Sequence, residues 1–289
     1  VEFAQMGVFR FRRTAGRPVL CLDEHNIEYE ILKRTAAGEG GLVRKVYNTL
    51  DWRKLRFEEL RAWRRFDGCS VTSARDEQLM RADAPGVRTA VVPNGVDVDD
   101  FVPGDPDAVE PDTVLFFGAI NYYPNTDGLL FFLREAWPLL KARRPSARLR
   151  IIGPKPPPVI AQWADPSVEV VGYVDDIRAH IARAAVTVVP LRIGGGTRLK
   201  VLEAMALGKA IVSTPLGAEG IDVTPDLDIL MAPDAAGLAH QIDRALGDRA
   251  LSRRLGTEAR RLAVERYSWR ASAQRLVQFY EELGAQRRP

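Results

Sequence analysis

From Val114 onward, short apolar and β-branched runs recur along the chain, at 114–117, 149–152, 168–171, 186–191, 210–213 and 229–231. Amphipathic stretches separate them, among them 128–144, 176–184 and 198–207. A strand that is apolar without alternation is buried on both faces, as in a parallel sheet covered by helices. The alternation predicts right-handed βαβ units and a complete, doubly wound parallel sheet, hence an α/β fold. Ligands of such sheets bind beyond the carboxyl ends of the strands, so function is expected in the loops that leave each run.

The first part of the chain reads differently. The runs at 19–22 and 69–72 look like buried strands, Val91 and Val92 mark a third, and a long basic helix pattern over 42–66 lies between the first two. These are fewer strands than a full doubly wound domain needs, so the sequence predicts a truncated first domain over 1–102. Turn formers between Pro103 and Pro111 mark a linker over 103–112. A second domain follows over 113–267, and the helix pattern at 269–283, within 268–289, is expected to pack back toward the first domain.

The length of 289 residues suits two modest domains. A balance of 41 basic against 38 acidic side chains, with a formal charge of +3, gives nucleic-acid binding no support. Cys21 and Cys69 sit in apolar runs without metal-ligand spacing and read as reduced thiols. No apolar run approaches the roughly 20 residues of a membrane span. The start, Val1-Glu2-Phe3-Ala4, has neither an initiator Met nor the shape of a signal peptide, so a cytoplasmic protein with its true start upstream is expected.

The most informative stretch is 190–208, Pro-Leu-Arg-Ile-Gly-Gly-Gly-Thr-Arg-Leu-Lys-Val-Leu-Glu-Ala-Met-Ala-Leu-Gly. Gly194, Gly195 and Gly196 let backbone approach a ligand closely, and the helix that follows offers free N–H groups and a positive dipole end. Thr197 is the expected N-cap. Arg198 and Lys200 then fall in the first turn, where cations oppose the dipole unless an anion sits nearby. Together these features describe a cradle for a diphosphate; a flexible loop before a solvated helix is the bland alternative. Glu203 lies in an otherwise apolar run, where a carboxylate is costly unless it is ion-paired or binds hydroxyls such as those of a ribose.

This stretch resembles the donor-binding region of family 4 glycosyltransferases, retaining enzymes of the two-domain GT-B fold. Five further segments agree in order: Val92-Pro-Asn-Gly-Val-Asp97, Phe116-Phe-Gly118, Ile151-Ile-Gly153, Val171-Gly-Tyr-Val-Asp175 and Glu265-Arg-Tyr-Ser-Trp269. The resemblance covers roughly 93–283. It implies that Glu203 is the second acid of a Glu-x7-Glu motif that binds the ribose, and that Gly118 brings backbone to the diphosphate. It implies that Gly172, Tyr173 and Val174 frame the base, and that Asn94 and Gly95 border the interdomain cleft. His25, in Leu22-Asp-Glu-His-Asn-Ile27, resembles the first-domain histidine that contacts the donor sugar near the reacting centre. Gly195 stands where the family's first Glu is usual, and Ala119 and Asn125 stand where an Arg and a Lys are usual. Arg198 and Lys200 are expected to supply that missing charge.

By the same resemblance the donor is a nucleotide-diphosphate sugar, configuration is retained, and the leaving phosphate takes the acceptor's proton. Neither a cofactor nor an obligatory metal is expected. The pairs Asp99-Asp100 and Asp175-Asp176 lie near turns and read as helix caps. The acceptor is not specified; polysaccharide and lipid-linked acceptors both suit a role in glycan biosynthesis. The 42–66 pattern mixes Trp52, Phe57, Trp63 and Phe66 with Lys45, Arg53, Lys54, Arg56, Arg61, Arg64 and Arg65. It reads either as an ordinary packed helix or as a weak peripheral membrane contact on anionic lipid, with Asp51, Glu58 and Glu59 diluting its charge. A truncated protein that binds nucleotide sugar without transferring it is the alternative function. A dinucleotide enzyme would want a Gly-x-Gly-x-x-Gly turn opening a first βαβ unit, and none occurs.

Overall fold

A computed structural model of the chain describes residues 1–8, 18–38 and 41–285. It has two compact units, one formed by Val1–Asn94, Gly194–Thr197 and Arg270–Pro289, the other by Gly95–Ile193 and Arg198–Trp269. Both are α/β and both sheets are parallel.

In the first unit the elements run β1 (Cys21–Glu24), α1 (Glu28–Gly38), α2 (Leu42–Trp63), β2 (Gly68–Val71), α3 (Ala74–Asp83) and β3 (Thr89–Val91), with strand order β1-β2-β3. β1 lies two residues later than the apolar run predicts, because it includes Asp23 and Glu24. Both are satisfied: Asp23 accepts from the Ser70 hydroxyl at 2.7 Å, and Glu24 accepts from Trp63 Nε1 at 2.8 Å and from the Ala4 amide at 3.2 Å. Leu22, Trp63, Cys69, Val71 and Met80 form the core around them. Both cysteines are free; Cys69 is buried and Cys21 half-buried. Glu59, a second buried acid, points inward from α2 and accepts from the amides of Glu28 and Tyr29, closing the amino end of α1.

Burial pushes the Glu24 carboxyl up to about 8 and that of Glu59 to about 7. Both groups hold protons more tightly folded than unfolded, so their contribution is fully present in acid and is lost as pH rises through that range. The unit is expected to lose about 2 to 4 kcal/mol of stability between about pH 5 and pH 8. Denaturant unfolding at the two pH values measures it, and Glu24→Gln should flatten the dependence.

The second unit continues with β4 (Thr113–Phe117), α4 (Tyr123–Phe131), α5 (Trp137–Arg143), β5 (Arg148–Ile152), α6 (Pro158–Ala161), β6 (Val168–Gly172), α7 (Ile177–Arg183), β7 (Val186–Val189), α8 (Leu199–Ala206), β8 (Ala210–Ser213), β9 (Leu230–Met231), α9 (Ala235–Gly247) and α10 (Arg249–Arg266). The final helix, α11, is Trp269–Ala285; residues 286–289 of the predicted C-terminal segment lie outside the described residues. Strand order is β6-β5-β4-β7-β8-β9, so the winding reverses between β4 and β7. Each of the six apolar runs from Val114 onward is a strand. Val114, Phe116, Leu149 and Ile151 pack with Leu129, Phe132 and Ile242, while Leu115, Phe117 and Ile152 pack with Ile181 and Leu207. Alternate residues therefore meet helices on opposite faces, as buried parallel strands require.

α4 starts five residues before the predicted helix, since Pro124 is tolerated in a first turn. A single π-turn at Phe132–Ala136 joins it to α5. Residues 95–102 belong with this unit: Arg260 donates to the carbonyls of Val98, Phe101 and Ala206. α11 contributes Phe279 and Leu283 to the first unit, where they leave no room for a side chain at Gly68.

Candidate functional site

Reversal of winding between β4 and β7 leaves a crevice beyond their carboxyl ends, the usual ligand position in such sheets. Three strands end there on glycine. The Gly118 amide donates to Ile152 O at 3.0 Å, and the Gly153 amide donates to Gly172 O at 2.8 Å, so the exits of β4, β5 and β6 are tied together. Gly118 has φ 132°, and a Cβ on it would lie 2.9 Å from Lys200 Nζ. The positive φ favours glycine here, and the missing Cβ leaves room for that ammonium.

Lys200 rises from the first turn of α8. Its Nζ donates to Asn125 Oδ1 at 2.8 Å and lies 4.5 Å from the centre of the Phe116 ring. Asn125 is buried and donates in turn to Ala119 O at 2.8 Å, which fixes its amide orientation. Although Lys200 as a whole is half-buried, its charged tip sits deep against Gly118 and Phe116. Burial, reinforced by Arg198 and opposed by Glu203, lowers the Lys200 ammonium to about 7. Among the described residues no carboxylate forms an ion pair with it. Such a group is set to take an anion, which would restore its charge.

Glu203 lies one turn further along α8. It is half-buried, and burial raises its carboxyl while Lys200 lowers it. Its side chain makes no hydrogen bond among the described residues. The salt bridge to a neighbouring cation that the sequence allowed is not formed. Tyr173 is 70% exposed just beyond β6, its ring available for stacking, while Val174 packs with Ile177 against the core beneath.

The predicted cap is corrected. Arg198, extended at φ −86° and ψ 93°, occupies the N-cap position of α8 without a side-chain cap bond. Thr197 falls one residue too early, and its hydroxyl is buried without a hydrogen-bond partner. The amino end of α8 thus has no side-chain cap at Arg198, and its dipole favours an anion there. Gly194, Gly195, Gly196 and Thr197 group with the first unit, and Arg198, Lys200 and Glu203 with the second, so the stretch read as one cradle is divided between them.

His25 follows β1 in the first unit. Its ring stacks on Phe3 with centroids 4.6 Å apart, its carbonyl accepts from the Thr72 hydroxyl, and its Nε2 stands 3.6 Å from Asp23 Oδ2 without a hydrogen bond. Asn94 is half-buried at the end of that unit. Gly95 has a packing role in the second: a Cβ there would lie 2.6 Å from the Trp269 indole. Asp176 caps α7 as expected, accepting from the Arg178 amide, and Asp100 pairs with Arg178. The cap near Asp99 and Asp100 is Asp97, which accepts from both their amides. Among the described residues no group of three or more His, Cys, Asp or Glu could hold a metal ion.

Two residues that shape the site escaped the sequence reading. Asn125 reads in the sequence only as the place of a missing cation, yet it grips the cation that α8 provides; Phe116 reads only as part of the Phe116-Phe-Gly118 segment, yet its ring lies against that ammonium. A cavity of about 530 Å³ lined by Asp112, Ala185, Lys209 and Gly256 sits at the opposite, amino ends of β4, β7 and β8 and is separate from these groups.

Residues 111–248 match the family model of the group 1 glycosyl transferases. An MMP alpha-(1->4)-mannosyltransferase of Mycolicibacterium hassiacum is 36% identical over 111 residues, which are 37% of this chain and 27% of that protein. The matched stretch thus spans about a quarter of the curated relative's length. Among solved structures, a sucrose-phosphate synthase from Thermosynechococcus elongatus aligns with TM-score 0.72 at 21% identity, over 99% of this chain and 73% of that one. Anabaena HepE in complex with UDP aligns with TM-score 0.70 at 16% identity, over 94% and 73%. A glycosyltransferase from Rickettsia africae aligns with TM-score 0.65 at 12% identity, over 95% and 84%. These structural likenesses establish the fold, and over residues 111–248 the second unit is similar to the glycosyl transferases of group 1.

Proposed function

We propose that this chain belongs to a glycosyltransferase that moves a sugar from a nucleotide-diphosphate sugar to an acceptor hydroxyl with retention of configuration. The observation that carries the reading is the buried Lys200 ammonium, lowered to about 7 and held against Gly118 where the sheet reverses its winding. In the reaction the bond from the anomeric carbon to the diphosphate breaks, a bond to the acceptor oxygen forms, and the acceptor's proton passes to the leaving phosphate. Negative charge grows on that phosphate, and fixed cations and open amides stabilise it without reorganising. Lys200, Arg198 and the amino end of α8 have this part, Glu203 takes the ribose hydroxyls, Tyr173 stacks on the base, and His25 contacts the donor sugar. Gly194, Gly195 and Gly196 supply backbone to the donor. Charge neutralisation falls to these side chains, so no metal is required.

Calorimetric titration with UDP-, GDP-, ADP- and TDP-sugars tests this, and UDP is the first choice because HepE was solved with it. One nucleotide class is expected to bind, in EDTA as well as without it. Glu203→Ala should weaken it by about 10- to 100-fold, the cost of losing hydrogen bonds to a charged group. No binding of any donor, or binding that EDTA abolishes, would sink the reading. Binding without transfer to any acceptor would favour a silent nucleotide-sugar binder.

A further inference from the structure

We infer that the outer face of α2 docks on an anionic membrane surface. Four large apolar side chains stand out from this helix, Val46, Tyr47, Leu50 and Phe57, each 55 to 68% exposed. Positions 46, 50, 53 and 57 fall on one stripe of a helix with about 3.6 residues per turn, and Tyr47 adjoins it. Large apolar residues exposed singly are ordinary; several along one face mark a surface that meets something.

The charge around that stripe identifies the partner. Lys45, Arg53, Lys54 and Arg61 are exposed beside it, and none is ion-paired among the described residues. Of the three acids that dilute the helix in the sequence, Glu59 is buried against the start of α1 and Asp51 is half-buried, which leaves Glu58 as the exposed carboxylate. Trp52, Leu55, Leu60 and Trp63 face the core of the unit, so the outer stripe is not needed to fold it. Apolar side chains flanked by cations along a helix about 33 Å long suit a bilayer interface, where the stripe enters the acyl boundary and the cations meet lipid phosphates. No helix among the described residues is long and apolar enough to cross a membrane, so the contact is peripheral.

The test is co-sedimentation of the full chain with phosphatidylglycerol-containing vesicles and with pure phosphatidylcholine vesicles, at low and high salt. Binding is expected to the anionic vesicles alone and to fall with salt. Replacing Arg53, Lys54 and Arg61 together by Gln should lower partitioning about 100-fold, near fivefold per cation. Leu50→Ser with Phe57→Ser should lower it at least about tenfold. All these positions are exposed, and Arg53 gives up only its contact over the Trp52 ring, so circular dichroism should give unfolding midpoints within about 4 °C of wild type. Equal binding to both vesicle types, no binding to either, or wild-type partitioning by the variants overturns the proposal. So does a dimer mass in light scattering that Leu50→Ser with Phe57→Ser converts to monomer, since a second copy would then be the occupant. The assay uses no sugar nucleotide and stands or falls apart from the donor site.

Discussion

Lys200→Met should abolish most donor affinity, by about 30-fold or more, while leaving the fold as stable as before or more so. The two effects separate because the ammonium is a cost to the unliganded protein and a gain to the complex. Removing one partner of a buried, charge-assisted contact costs roughly 2 to 5 kcal/mol of binding. Replacing a buried lysine by an apolar chain of similar length relieves desolvation, which offsets the lost hydrogen bond to Asn125 and the contact with Phe116. Calorimetry and thermal unfolding of the same variant report both. The pH dependence gives a second signature. The unliganded ammonium sits at about 7, so donor affinity should be full below that value and fall by up to tenfold per pH unit above it, with a proton taken up on binding. Both phosphates of a nucleotide sugar are esterified, so the slope reports the lysine. A pH-independent affinity, or a variant that binds like wild type, would remove Lys200 from the site.

Gly256→Ala is expected to cost about 3 kcal/mol and to lower the unfolding midpoint by about 6 to 12 °C. Gly256 lies in α10, where alanine would otherwise add helix stability of about 1 kcal/mol. However, a Cβ at this position would come within 2.0 Å of Gly208 O and 2.7 Å of Gly208 C, and neither is a side chain that can swing away. α10 would have to lift from the turn between α8 and β8, which also anchors Arg260 on the Ala206 carbonyl. Gly284→Ala in α11 is the control: nothing lies within 4 Å of its added Cβ, so it should hold or raise the midpoint. Scanning calorimetry of the two variants decides the matter; equal midpoints would contradict the close packing of α10.

Most of the second unit could be read from its strands, because burial on both faces forces each into an unbroken apolar run. What the runs could not show was polar burial satisfied at long range. The apolar run puts β1 two residues early because Glu24 reads as surface until Trp63 and Ala4 are brought to it. Glu59 reads in the sequence as one of the solvated charges of α2, and only the amides of Glu28 and Tyr29 account for its burial. The same limit governs the site. Lys200 was conspicuous as a cation at the wrong end of a helix, but its grip on Asn125 spans 75 residues of sequence. Thr197 is a reasonable cap by residue type, and its displacement by Arg198 is a shift of one residue that side-chain preference does not encode.

The parallel order of the second sheet also sets how that unit assembles. Val114 in β4 pairs with Leu149's strand on one side and with Val186 on the other. The half containing β4, β5 and β6 can zip through successive neighbours, but the other edge of β4 stays open until β7 has been made and brought back. Without β7 that edge presents unpaired N–H and C=O groups beside Leu115, and an open edge of this kind is a template for pairing with another chain. The β4–β7 pair is the longer-range of the two pairings of β4, so closure of this edge is expected to be the slower one.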